Sequence, residues 1–240
     1  MKRFVLAWLI ALVAAFPASA DHLSDDDIKQ LALEAILDNP QVIMDAVAIL
    51  QQREQEAAAE ARAATLLSQR LLLEQDPNAP VLGNPEGDVT IVEFFDYNCP
   101  YCKQVAPEIE ALIAADSNVR VVYREWPILS EGSVFAARAA LAARVQGKYV
   151  EFHWALMGLR GRAEEASVLR VARSVGLDID RLRADMESPV VAEHIQTSMD
   201  LADSLGFRGT PSFVIGQQTV PGFIPQTELE KFVAQARATQ

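Results

Sequence analysis

The sequence predicts an α/β protein, and three features carry that prediction. A short apolar strand, Val89–Phe95, a helix and a second strand, Val119–Tyr123, follow one another, which is the pattern of a β-α-β unit with parallel strands. A block of helical patterns comes next. Two strand-like segments, Ser212–Ile215 and Gln218–Val220, then precede a terminal amphipathic helix, Gln226–Ala236.

The first twenty residues have the pattern of a secretory signal peptide. Lys2 and Arg3 precede an apolar run from Phe4 to Phe16, and Ala18-Ser19-Ala20 has the small-x-small form of a cleavage site. The alternative is a membrane anchor, but a membrane-spanning helix needs about 20 apolar residues. We therefore expect cleavage after Ala20 and a mature chain outside the cytoplasm, where disulfides persist.

The segment from Asp21 to Gln75 contains neither glycine nor aromatic residues, which favours helix. Asn39-Pro40 separates a short helix from a long one and would cap and start the second. Two helices cannot enclose a core, so their apolar stripe must pack on the rest of the chain or on other copies. We predict that residues 21–75 form a helical oligomerisation segment.

The helical block should begin after Trp126-Pro127, which end the second strand. Ser133 could cap its first helix and Gly147 could end it. Further capping signals occur at Asp178 and at Ser188-Pro189, the latter opening a helix that ends at Gly206. His153 and Trp154 are expected to be packing residues of this block.

Composition excludes several classes of protein. The formal net charge is −12 and no basic run is present, which argues against binding to nucleic acid or to anionic membrane surfaces. The chain has two cysteines, too few for a disulfide-stapled scaffold.

Both cysteines lie in Cys99-Pro100-Tyr101-Cys102, where a strand runs directly into a helix that extends to about Ala115. Cys99 would sit at the helix N-terminus, where unpaired N–H groups and the helix dipole favour the thiolate. Cys102 would lie one turn deeper on the same face, close enough to form a disulfide. Pro100 fits the first helical turn without losing a hydrogen bond. This arrangement predicts redox chemistry.

Three other roles are conceivable for the cysteine pair. A zinc site needs two further ligands, and His22, His153 and His194 are scattered singly along the chain. A purely structural disulfide would close a very small loop and contribute little. A Cu(I) chaperone could use the same two thiolates.

The residues from Glu93 to Cys102, together with Gly209-Thr210-Pro211, resemble the DsbA-like family of periplasmic thioredoxin-fold thiol-disulfide oxidoreductases. The gap between Cys102 and Pro211 matches that family's inserted helical domain. The stretch Ile28–Leu50 resembles the amino-terminal segment of the suppressor-of-copper-sensitivity C proteins, which trimerise through it and isomerise disulfides. The resemblance implies a thioredoxin-like domain, residues 76–129 and 206–240, an inserted helical domain, residues 130–205, and a homo-oligomer, most simply a trimer.

The resemblance also implies roles for single residues. Pro211 matches the family's cis-proline beside the cysteines, and Thr210 matches the residue whose backbone pairs with bound peptide. Pro100 and Tyr101 would contact substrate. Glu93 matches the acidic residue beneath the second cysteine. Independently, a carboxylate in an apolar strand invites a raised pKa, unless it reaches water at the strand end.

These observations predict a periplasmic thiol-disulfide oxidoreductase that isomerises or reduces disulfides of secreted proteins and needs no metal or organic cofactor. Cys99 would attack and Cys102 would resolve, with a membrane redox partner regenerating the active-site pair. A monomeric DsbA-like oxidase that introduces disulfides is the alternative within this chemistry, and the Cu(I) chaperone is the alternative outside it.

Overall fold

The computed structural model describes residues 23–239. The predicted signal peptide lies outside this range. The chain divides into two compact units, and the division falls between Glu56 and Ala57.

The amino-terminal unit consists of a short helix and the first part of a long one, as predicted. Helix α1, Asp25–Asp38, begins with a capping box in which Ser24 and Asp27 satisfy each other's backbone N–H groups. Asn39 ends α1, and helix α2, Gln41–Gln75, starts one residue after Pro40. The expected cap and first-turn proline are thus both in the connecting turn. Residues 23–60 are all exposed within the single chain.

The second unit is built on a five-stranded sheet with the order β1-β3-β2-β4-β5. Strands β2 and β3 pair in parallel, which confirms the β-α-β unit, and every other pair is antiparallel. The three-residue strand β1 was not predicted. The strands are β1 Val81–Gly83, β2 Val89–Phe95, β3 Val119–Glu125, β4 Ser212–Ile215 and β5 Gln218–Pro221.

Five helical segments lie between β3 and β4, as the sequence predicts. The first is capped by the side chain of Ser130, which accepts from the N–H of Ser133 at 3.1 Å, and not by Ser133 itself. It ends at Ala143, and a 3₁₀ turn, Arg144–Gln146, leads to Gly147. The helices are α4 Glu131–Ala143, α5 Tyr149–Met157, α6 Glu165–Ser174, α7 Ile179–Asp185 and α8 Pro189–Ser204.

Each face of the sheet has its own core. Helix α3, Pro100–Ala115, and the terminal helix α9, Gln226–Ala238, cover one face together with the helical block. The other face is covered by the end of α8 and by Leu66 and Leu73 of α2. The last turns of α2 are therefore part of the sheet's core, although the sequence places them in the oligomerisation segment. No helix within residues 23–239 is long and apolar enough to cross a membrane.

Candidate active site

Cys99 occupies the N-cap position of α3, directly after the loop that follows β2. Its backbone is extended, at φ −76° and ψ 119°, and Pro100 forms the first helical position. The Cys99 thiol donates a hydrogen bond to the carbonyl oxygen of Thr210 at 3.2 Å. The cysteine therefore lies between the positive end of a helix and the loop that leads into β4, as its position in the sequence predicts.

The two thiols differ sharply in acidity. A hydrogen bond from the Cys102 side chain, helped by the Thr210 side chain and by backbone N–H groups, lowers the pKa of Cys99 to about 6. Burial raises the pKa of Cys102 above its usual range, and the charges of Glu93 and Cys99 raise it further. Both cysteines carry free thiols. These pKa shifts favour a thiolate at Cys99 and a buried, protonated thiol at Cys102 near neutral pH.

Glu93 lies in the middle of β2, and its side chain is only 1% exposed. Its neighbours on the same sheet face, Ile91 and Phe95, belong to the core beneath α3. The alternative in which Glu93 reaches water is thus wrong. Burial, followed by the charge of Cys99, raises the pKa of Glu93 to about 8. Glu93 can therefore gain or lose a proton close to neutral pH.

The Thr210–Pro211 peptide bond is cis, in agreement with the resemblance. Pro211 is buried, and its carbonyl accepts a hydrogen bond from Gly222 at 2.8 Å. The Thr210 hydroxyl is buried without a hydrogen-bond partner among the described residues. A thiolate at Cys99 would give this hydroxyl an acceptor.

Pro100 and Tyr101, between the two cysteines, form the exposed rim of the site. The Tyr101 side chain is 57% exposed, in contrast to the fully buried Cys102 one position later. A molecule that approaches past Pro100 and Tyr101 meets the 4% of Cys99 that is exposed, whereas Cys102 is fully buried.

Two polar side chains that the sequence analysis did not single out hold the loop before Cys99. Asp96 accepts hydrogen bonds from the N–H groups of Ile128 and Leu129, at 2.9 and 3.0 Å. The Asn98 side chain bonds both the N–H and the carbonyl of Ala163, at 2.7 and 3.1 Å. The sequence could have indicated these two residues, because both are polar and lie within three residues before Cys99.

A buried polar cluster, made of Tyr97, Glu125, Tyr149 and His153, lies behind this loop and was also missed. One oxygen of Glu125 accepts hydrogen bonds from Tyr97 and Tyr149, each at 3.0 Å. The Tyr97 hydroxyl also contacts His153 Nδ1 at 3.1 Å. His153 is fully buried, so its predicted packing role is confirmed, and burial lowers its pKa to about 3. The sequence does not indicate that Glu125 is buried, because a charged residue at the end of a strand is usually exposed to solvent.

Within residues 23–239, no cluster of three or more histidine, cysteine or acidic side chains could hold a metal ion. His153 and His194 are both buried in packing environments, and burial lowers the pKa of each to about 3. Among the residues that the structure describes, the donor set that a structural zinc site needs is not assembled around Cys99 and Cys102.

Comparison with known proteins identifies related chains. The crystal structure of a thioredoxin-like oxidoreductase from Silicibacter pomeroyi is 64% identical and covers 70% of this chain and 98% of its own, with a TM-score of 0.70. A crystal structure of Proteus mirabilis ScsC in a transitional conformation is 25% identical over 93% of this chain and 99% of its own, with a TM-score of 0.68.

A curated relative, the Na(+)/H(+) antiporter NhaA 3 of Salinispora tropica, is 35% identical over 148 residues. The match covers 60% of this chain but only 23% of that antiporter. The chain thus spans about a quarter of the length of the antiporters it matches.

Two family descriptions match the chain itself. The "copper resistance protein ScsC N-terminal domain" matches residues 26–57, within α1 and α2. The "DSBA-like thioredoxin domain" matches residues 90–234, a range that runs from β2 through most of α9. The chain therefore belongs to the DSBA-like thioredoxin family, and its amino-terminal segment matches the ScsC domain.

Proposed function

We propose that the protein is a periplasmic thiol-disulfide exchange enzyme that isomerises or reduces disulfides in secreted proteins. The observation that carries the proposal is the opposite acidity of two adjacent thiols. Cys99, which is 4% exposed at the helix N-terminus, has its pKa lowered to about 6, while the pKa of the fully buried Cys102 is raised. Such a pair can attack one disulfide at a time without both thiols reacting together.

The reaction would begin with attack of the Cys99 thiolate on one sulfur of a substrate disulfide. A new S–S bond forms, the substrate S–S bond breaks, and the other substrate sulfur leaves as a thiolate with the electron pair. In isomerisation, a second substrate thiolate attacks the mixed disulfide, displaces Cys99 and leaves a rearranged substrate disulfide. The enzyme then returns as a dithiol with no net change in oxidation state.

In reduction, Cys102 would resolve the mixed disulfide. Its proton passes to ionised Glu93, its sulfur attacks Cys99, and the substrate leaves as a thiolate. The enzyme is then oxidised to the Cys99–Cys102 disulfide, so a reductant, which we assign to a membrane redox partner, must restore it. A Glu93 pKa of about 8 suits this transfer because the side chain is partly ionised near neutral pH.

Substrate binding would use the backbone beside Pro211. The carbonyl of Thr210, which accepts a hydrogen bond from the Cys99 thiol when that thiol is protonated, would be available to an extended peptide once Cys99 is in a mixed disulfide. Pro100 and the exposed Tyr101 would border the bound peptide. These contacts hold backbone and not particular side chains, which suits an enzyme that must accept many substrates.

We assign oligomerisation to the amino-terminal helices, with a trimer as the most economical assembly. No residue of α1 is buried, and large apolar side chains of both helices are exposed. Leu31 is 52% exposed, Leu37 is 68% exposed and Leu50 on α2 is 57% exposed. Large apolar side chains that remain this exposed are typical of an interface between copies. The match to the ScsC amino-terminal domain covers this stretch. Several Cys99 sites around one substrate would favour isomerisation over net oxidation.

The monomeric oxidase remains the main alternative, and the redox state of the cysteine pair in the periplasm discriminates the two. A mainly reduced pair supports isomerisation, and a mainly oxidised pair supports oxidation. A Cu(I) chaperone would need two thiolates. The raised pKa of Cys102 opposes the second, and copper titration of the reduced protein against a competing chelator tests this.

The central experiment combines cysteine variants with isomerisation of a scrambled disulfide protein. Cys102→Ser should accumulate mixed disulfides with substrate, and Cys99→Ser should not, because Cys99 is the more acidic thiol and retains 4% exposure, whereas Cys102 has none. Deletion of the mature chain up to Glu56 should leave thiol reactivity intact and reduce isomerisation. If alkylation of the reduced protein labels Cys102 before Cys99, the assigned roles are wrong. If the intact mature chain is monomeric by light scattering at micromolar concentration, the oligomer proposal fails.

A further inference from the structure

Tyr123 and Glu93 are neighbours on adjacent strands, and the Tyr123 hydroxyl is buried without a hydrogen-bond partner among the described residues. The parallel register of β2 and β3 pairs Glu93 directly with Tyr123. Both residues are 1% exposed, and both lie on the sheet face that carries α3. Paired residues on adjacent strands are about 5 Å apart, so their side chains can meet above the sheet.

The ring of Tyr123 is held firmly by aromatic neighbours. Phe95 packs edge-on at 5.3 Å, Trp154 packs edge-on at 6.5 Å, and His153 lies at 4.4 Å. The hydroxyl at the end of this ring is buried and unpaired in the described part of the chain. Buried hydroxyls without a partner are rare, because leaving one unsatisfied costs free energy. An acceptor that becomes available in only one protonation state of the protein would satisfy the Tyr123 hydroxyl.

The ionisable groups around this pair identify that acceptor. Helix α3 contributes Cys99, Cys102 and the exposed Glu110, while Glu125 lies two residues along β3. His153 faces the ring from α5, and β4 contributes only the apolar Phe213 opposite Glu93. An ionised Glu93 would be a buried carboxylate that needs a donor. Tyr123 is the unpaired donor beside it in the strand register.

We propose that Tyr123 is a positioning residue whose hydroxyl donates a hydrogen bond to Glu93 whenever that carboxylate is ionised, directly or through one water. Neutral Glu93 does not require this bond, and the Tyr123 hydroxyl is then unpaired. The bond would hold Glu93 ready to take the proton of Cys102 during resolution of a mixed disulfide. This inference rests on the proposed function of Glu93.

The test is the pH dependence of the resolving step in the full mature chain. Reduced protein reacts in a single turnover with hydroxyethyl disulfide, an uncharged probe, which releases one thiol when Cys99 attacks and a second when Cys102 resolves. In Tyr123→Phe, the midpoint of the second release should move up by about one pH unit or more, since the ionised carboxylate loses a charge-assisted hydrogen bond. The melting temperature should not fall, because the lost hydroxyl was unpaired.

A double-mutant cycle shows whether the effect passes through Glu93. In a Glu93→Gln background, Tyr123→Phe should change the resolving rate less than about twofold. Tyr149→Phe is the matched control: it removes a buried hydroxyl that is bonded to Glu125 at 3.0 Å, so it should lower stability without moving the midpoint.

Three results would overturn the inference. The first is an unchanged midpoint in Tyr123→Phe while Glu93→Gln alters the profile, which leaves the proposed role of Glu93 intact. The second is a loss of stability in Tyr123→Phe with an unchanged profile, which would assign the hydroxyl to the unpaired Nε2 of His153. The third is a Glu93→Gln variant with a normal profile, which would remove the proposed proton acceptor as well.

Discussion

Replacing Glu93 with glutamine should make the protein more stable at alkaline pH and flatten the pH dependence of its stability. Burial raises the pKa of Glu93 from 4.5 to about 8. The folded protein therefore holds a proton on this carboxyl between those values, while the unfolded chain has released it. Stability must fall as pH rises through this window, and each pH unit costs at most about 1.4 kcal/mol. The full cost approaches about 5 kcal/mol at pH 8.

The oxidised protein is the proper material, because the Cys99–Cys102 disulfide removes both thiol titrations. The charge of Cys99, the smaller cause of the Glu93 shift, is then also absent, so about 5 kcal/mol is an upper limit. Denaturant unfolding at pH 4.5 and pH 8 measures the free energy of unfolding of wild type and Glu93→Gln. The variant should gain several kcal/mol relative to wild type between the two pH values. The same pH dependence in both proteins would show that Glu93 is solvated, and would refute the buried-base argument.

Two further substitutions test the site. Thr210→Val should raise the pKa of Cys99 by about one pH unit from its value of about 6, because the thiolate loses its hydrogen bond from the Thr210 hydroxyl. Thr210→Ser keeps a hydroxyl and should leave the pKa of Cys99 unchanged. Thiolate absorbance measured against pH gives the pKa of both variants. An equal effect of serine and valine would instead implicate packing. Asn98→Ala should cost about 2–4 kcal/mol of stability and slow the attack of Cys99, because it leaves the N–H and carbonyl of Ala163 without the partner they have in Asn98. Thermal unfolding and single-turnover kinetics measure these effects, and an unchanged attack rate would show that the Cys99 loop is held without Asn98.

The parts of the fold that depend on local pattern could be predicted closely. Strand β2 spans the predicted apolar run, and helix α3 extends from Pro100 to Ala115 as predicted, because strand and helix signals lie in the sequence itself. The position of Cys99 at the helix N-terminus follows from the same local pattern. The short edge strand β1 could not be predicted in this way. Its three residues lie next to a turn-rich stretch and form a strand only because they pair with β3.

The buried polar residues of β3 could not be predicted for a different reason. Arg124 and Glu125 have the charged character of a solvated strand end, yet both are at most 1% exposed. Arg124 points into the core formed with α2, whereas Glu125 bonds Tyr97 and Tyr149 behind the active-site loop. Their environment is created by segments about fifty residues before Arg124 and about two dozen after Glu125 in the chain. A pattern confined to a short window contains no information about such partners.

The contacts of Arg124 also determine where the amino-terminal segment can be removed. Its fully buried guanidinium pairs with Asp76 at 2.6 Å and donates to the carbonyls of Leu72 and Leu73 at the end of α2. Deletion through Gln75 would remove these carbonyls and also the buried side chains of Leu66 and Leu73. Each buried leucine contributes about 1.5–3 kcal/mol and each lost partner of a buried charged donor about 1–3 kcal/mol, which together approach the whole stability of a typical domain.

Truncation at Glu56 removes none of these groups, since residues 23–60 are all exposed in the single chain. We therefore expect residues 57–240 to unfold cooperatively at nearly the melting temperature of the mature chain at low protein concentration, where assembly contributes little. Residues 76–240 should melt far lower or aggregate, and circular dichroism with light scattering distinguishes these outcomes. Equal melting temperatures for the two truncations would mean that the end of α2 contributes nothing to the sheet's core. The expected difference makes Glu56 the correct boundary for testing whether the amino-terminal helices confer isomerisation, because a deletion to Gln75 would confuse loss of assembly with loss of the fold.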